Sequence, residues 1–165
     1  MANIIKQQLL TDSTKRTLAK YVLISDGTQN SNTKLLDAST LAFALNANGY
    51  IMNAGVHPKG NYRTTIKRVF GNLTSNVGRI KLQWQGASNS EIITFGSGNF
   101  DYDFQSMGDG AVIPNPESNS NGQILISTSG LSPADLATIF VDLRKNPGDY
   151  DQGQTADPYA FNARR

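Results

Sequence analysis

Arg79-Ile80-Lys81-Leu82-Gln83-Trp84-Gln85 alternates without a break, with Ile80, Leu82 and Trp84 on one side and Arg79, Lys81, Gln83 and Gln85 on the other. Successive side chains of a β-strand point to opposite faces, so this stretch reads as a strand with one face in a core and one in water. The same reading extends in both directions. Upstream, Tyr62 to Phe70 alternates less cleanly, with Tyr62, Thr64, Ile66 and Arg68 assigned to one face. Downstream, Glu91 to Phe95 is short and apolar and ends at the Gly96-Ser97-Gly98 turn. Phe100-Asp101-Tyr102-Asp103-Phe104 sets three aromatics against two carboxylates. Gln123 to Thr128 follows, then Leu136 to Leu143, where Ala137, Ile139, Val141 and Leu143 face one way. Thr17 to Ser25, closed by Asp26-Gly27, reads as a buried strand.

Six or more short strands separated by turns predict an all-β fold, an antiparallel β-sandwich of jelly-roll type. Composition agrees. The 165 residues include 16 Asn, 14 Ser, 13 Thr and 15 Gly but only two Glu, which favours strands and polar turns over exposed helix faces. One helix is predicted, over Asp37 to Leu45, with Asp37 as cap and Leu41 and Leu45 on one face. Residues 1–13 read as an N-terminal arm or edge strand, 14–145 as the sandwich and 146–165 as an extended tail. That tail has no period, and its Tyr159 and Phe161 have no local core to join. A chain of this length buries about 70% of its unfolded surface, so no covalent staple is needed.

Charge is divided along the chain. Residues 1–85 hold eleven Lys/Arg and three Asp, whereas residues 86–165 hold four Lys/Arg and ten Asp/Glu. Interleaved strands would neutralise this within one domain; a bipolar protomer would instead use it against neighbours. There is no cysteine, which excludes disulfides, thiolate metal sites and a cysteine nucleophile. The opening residues lack a signal-peptide core, and no apolar run is long enough to span a membrane, so a protein made without a cleaved export signal is expected.

Candidate chemistry is sparse. His57 is the single histidine and precedes Pro58, with no nucleophile at a recognisable spacing. Asp101 and Asp103, with Asp109 nearby, could in principle hold calcium or act as a glycosidase pair, but strand alternation accounts for them. No catalytic residue, metal ligand or cofactor is therefore assigned. Arg63, Lys67 and Arg68, with Arg79 and Lys81 on the following strand, suggest a basic face, read as solvated or as a protein contact in preference to nucleic acid. Asn72-Leu73-Thr74 matches a glycosylation acceptor by chance in an Asn-rich chain.

Several stretches carry a resemblance. They are Asn3-Ile4-Ile5-Lys6 through Tyr21-Val22-Leu23-Ile24-Ser25-Asp26-Gly27, Tyr62 to Arg68, Ile80 to Trp84, Phe100 to Phe104, Gly122 to Leu125, Asp142 to Lys145 and Gln154 to Pro158. Together the chain resembles a virion structural protein family of tailed bacteriophages, of the cyanophage type. The resemblance implies a non-enzymatic particle component and supplies no catalytic residues. The expectation is a capsid decoration (cement) protein in the virion, with other copies of itself and the major capsid protein or another virion protein as partners. A neck, tail or baseplate component, or a carbohydrate-binding sandwich using Trp84 and Tyr102, are the alternatives. The contact residues expected are Tyr159, Phe161, Arg164 and Arg165, then Ile4 and Ile5, then Arg63, Lys67 and Arg68.

Overall fold

Strand alternation is obeyed by the computed structural model, which describes residues 3–51, 62–107, 113–114 and 122–152. The strands are β1 (Ile4–Asp12), β2 (Arg16–Asp26), β3 (Thr33–Leu36), β4 (Thr64–Thr74), β5 (Arg79–Trp84), β6 (Ser90–Phe95), β7 (Gly98–Asp103), β8 (Ile113–Pro114), β9 (Ile124–Ser129) and β10 (Pro133–Lys145). All pairings are antiparallel. One sheet runs β1-β2-β10-β4-β7, with β8 also on β4; the other runs β3-β9-β5-β6. The protein is an all-β antiparallel sandwich.

The core forms where the inner faces meet. Tyr21, Leu23, Val69, Leu73, Ile139 and Val141 come from the first sheet, and Ile80, Leu82, Trp84, Phe95, Ile124 and Ile126 from the second. Each fully buried side chain of this size contributes roughly 1.5–3 kcal/mol relative to exposure. Phe95 and Phe100 stack across the layers with ring centroids 4.0 Å apart.

Of the two readings of residues 1–13, the edge strand forms, because β2 supplies the backbone partners of β1 from Ile4 opposite Ile24 to Asp12 opposite Thr17. Other expectations need correction. β2 alternates instead of burying both faces: Thr17, Ala19, Tyr21, Leu23 and Ser25 are buried, while Ile24 is exposed. The helix over 37–45 does not form. Asp37 does cap a turn, accepting from the Ser39 amide at 3.1 Å, but that 3-10 turn spans only Ala38–Thr40. Phe43 then takes φ 65°, and the Leu45 amide donates to the Asp149 carbonyl at 2.9 Å. A nine-residue helix is too short to persist by itself, so tertiary partners take its backbone groups.

Asp37 gives a measurable acid limb. Burial pushes its carboxyl up, but bonds from the Ser39 hydroxyl and amide and from Lys34 outweigh this, leaving it below the ordinary carboxylate range. A lowered folded value means stability present above the unfolded pKa of about 3.9 and lost as pH falls through the folded one. Asp37→Ala is expected to cost about 1 kcal/mol at neutral pH. Denaturant midpoints measured at pH 7 and pH 3 should show the gap between wild type and variant narrowing at the lower value.

Candidate assembly surface

With Ala19, Tyr21 and Leu23 turned inward, the alternate residues of β2 face out, and the same holds along β10 and β4. The ladder registers then place these outer side chains in rows. The first joins Ile4, Ile24, Leu136 and Thr74 across β1, β2, β10 and β4. Ile4 is 52% exposed, and Ile24 and Leu136 are each 39% exposed. A further row joins Gln8, Lys20, Phe140, Phe70 and Asp101. Phe70 and Phe140 stack at 4.7 Å and 3°, Arg68 lies 4.7 Å over Phe70, and Lys20 lies 5.9 Å from the Phe140 ring. Arg68 is held there by two bonds to Asp101, at 2.8 and 2.6 Å. A shallow hollow of about 390 Å³ lies beside the first row, lined by Lys6, Gln7, Gln8, Lys20 and Val22.

The far edge of β1 pairs with nothing among the described residues. Edge strands are normally short, charged, kinked by proline or covered, because their free N–H and C=O groups template pairing. The other edges fit that pattern: β3 has four residues, β6 carries Glu91, and β7 carries Asp101 and Asp103. β1 carries Lys6, but it has nine residues, no proline, and Leu9 and Leu10 exposed at 41% and 44%. A bulge between Leu9 and Thr11 is its main interruption.

The expected contact residues distribute unevenly over this surface. Ile4 is on it, and Ile5 is partly buried, packed against the core. The basic face does not assemble as expected. β4 lies in the first sheet and β5 in the second, which separates Lys67 and Arg68 from Arg79 and Lys81. A shift in the β4–β10 register between Arg68 and Ile66 makes Lys67 an extra residue, so Arg68 leaves the Ile66 face and points outward. Arg63 is also engaged, donating from its backbone N and Nε to Asp149 at 3.0 and 2.9 Å. Lys67 lines a hollow of about 250 Å³ with Thr65, Arg144, Lys145, Asn146 and Pro147. Tyr159, Phe161, Arg164 and Arg165 lie outside the described residues, as do His57 and Asp109.

Residues 146–151 do not extend away as a tail. Asn146 to Asp151 folds back on the sandwich: Tyr150 is fully buried, its hydroxyl donates to the Ala38 carbonyl at 2.8 Å, and its ring meets Tyr62 at 5.8 Å. Asp149-Tyr150-Asp151, within the stretch expected to be a tail, is a docking element. Trp84 is buried, as its strand face implied, and is therefore not available to stack on a sugar. Asp101 and Asp103 are taken up structurally, the first by Arg68 and the second by accepting from the Gln105 and Ser106 amides. No group of three or more metal-ligating side chains occurs among the described residues.

Sequence reading missed Ile24, Leu136, Leu9 and Leu10. The signal was present in β2, where apolar residues fall on both faces, but a strand apolar on both sides was taken as wholly buried. No protein-family model matches the chain, and no curated protein matches it in sequence.

Proposed function

We propose that this is a non-enzymatic structural component of a tailed-phage virion, a decoration protein that binds the assembled head. The observation that carries the reading is the long β1 edge, unpaired among the described residues, joined to the exposed row of Ile4, Ile24 and Leu136. That surface is suited to adhesion, because it offers backbone hydrogen bonds beside apolar area, the two ingredients of strand addition. The strand order β2-β10-β4-β7 over β3-β9-β5-β6 is compatible with the jelly-roll type expected from the sequence, an architecture used in viral capsid and lectin domains. Fold alone does not assign function, so the surface rather than the strand order bears the argument. Bound only to the assembled lattice, such a protein stabilises that state by mass action.

The test uses purified particles and the full chain. Wild-type protein should sediment with intact heads, and heads lacking it should open at lower temperature. Ile24→Glu with Leu136→Glu changes two exposed side chains, so folding should survive while head binding weakens roughly tenfold or more. Density confined to a closed low-copy ring at the neck or baseplate would favour the alternative location. Absence of the chain from purified particles would sink the reading.

A further inference from the structure

We infer that β1 pairs antiparallel with β1 of a second copy across a two-fold axis centred on Gln7, fusing the two β1-edged sheets into one. This deepens the assembly reading and uses it for its setting. The argument begins with polarity. Ile4-Ile5-Lys6-Gln7-Gln8-Leu9-Leu10 reads apolar, apolar, three polar, apolar, apolar, and is the same in both directions about Gln7. A two-fold axis perpendicular to a sheet sets each outward residue opposite an outward residue and each inward one opposite an inward one. Only registers that keep this parity are open. Centring on Lys6 would oppose two lysines directly, and centring on Gln8 would set Lys6 against Leu10 and Gln7 against Leu9. Centring on Gln7 sets Ile4 opposite Leu10, Ile5 opposite Leu9 and Lys6 opposite Gln8, so like meets like in polarity and no charge meets its own kind.

The rest of the surface continues across that seam. The Leu9-Leu10 end of the second copy would lie beside Ile4, at the end of the row through Ile24 to Leu136, covering apolar side chains that the monomer exposes. The bulge at Leu10 ends the pairable stretch where the polarity match ends. An edge contact of this length is small by the standard of stable interfaces, so the dimer is concentration-dependent in solution.

The chain has no cysteine, so single-cysteine variants report the register cleanly. Gln7→Cys places two thiols opposite each other at the axis and should form a disulfide-linked dimer under mild oxidation, whereas Lys6→Cys, which faces Gln8, should not. Sedimentation of the uncrosslinked full chain should show dimer that dissociates on dilution. Gln8→Lys, facing Lys6 twice, should weaken the dimer by roughly 2- to 30-fold, Gln8→Glu should tighten it, and Lys6→Glu with Gln8→Lys should restore it. Gln7→Cys crosslinking no faster than an exposed Ser88→Cys control, or a monomer at every concentration with β1 amides already protected from exchange, overturns the inference. Particle incorporation of a strictly monomeric chain would leave the assembly reading standing and remove this one alone.

Discussion

Asp12→Ala is expected to destabilise the protein by about 3–5 kcal/mol, the cost of leaving a buried charge without its partner. Lys145 is fully buried, and its ammonium donates to Asp12 Oδ1 at 2.6 Å, to the Ser13 carbonyl at 2.8 Å and to the Ala42 carbonyl at 2.7 Å. All three protons are used. The charge also lies 5.1 Å from the Tyr150 ring. Asp12 in turn accepts from the Thr17 hydroxyl and the Ala42 amide, each at 2.8 Å. One ion pair thus ties the end of β1, the β1–β2 turn, the 38–45 segment and the end of β10. Lys145→Met should cost less, because Asp12 keeps two donors and is partly exposed. The double variant should lose less than the two single losses together, since an apolar pair can replace a buried ion pair at little cost.

Urea midpoints across pH give a second readout. Burial pushes the Lys145 ammonium below the ordinary lysine range, and Asp12 pulls against it. A folded value below the unfolded one means that the unfolded chain binds more protons, so stability rises with pH through that window. Removing Asp12 removes the opposing pull and widens the window. The deficit of Asp12→Ala against wild type should therefore narrow as pH rises toward the unfolded lysine pKa of about 10.4. A loss of no more than about 1 kcal/mol at neutral pH, with no such narrowing, would show that Lys145 reaches water without Asp12.

How much of this was legible depends on what each residue must satisfy. Ile80, Leu82 and Trp84 were placed correctly because a half-buried strand imposes its own period, and Ala137 to Leu143 likewise. Gln83 was assigned to solvent but is buried, since β5 is an interior strand flanked by β9 and β6. The bulge at Lys67 shows in the sequence only as the Lys67-Arg68 doublet between Ile66 and Val69, and it moved Arg68 to the other face. Neighbours in sequence misled where the basic residues of β4 and β5 were given one face; the chain changes sheets between them. β3 was hidden in an Asn/Ser/Thr-rich stretch whose hydrogen bonds come from β9. The assembly surface was half legible. Ile4 was named for exposure and Ile24 was not, although they are cross-strand neighbours, because register is a property of two strands and not of either alone.

Gly71→Ala is expected to cost about 3 kcal/mol or more, combining left-handed backbone strain of about 1–2 with overpacking of about 1–3 kcal/mol. Gly71 has φ 154° in the middle of β4, opposite Ile139 on β10 and Phe100 on β7. A Cβ there would fall on the Thr138 carbonyl oxygen and within 3.0 Å of the Phe100 ring. The oxygen belongs to the neighbouring backbone and cannot rotate away, while Phe100 is held by its stack on Phe95. Relief requires β4 and β10 to separate, which would also pull apart the Phe70–Phe140 pair on the outer face. Gly98→Ala isolates the backbone component: Gly98 has φ 99° with nothing within 4 Å of the added carbon, so about 1–2 kcal/mol is expected. Thermal unfolding of the two variants separates strain from collision. Equal losses would mean that the sheet yields at Gly71 without resistance, and the rigid outer rows on which the proposed adhesion rests would lose their physical basis.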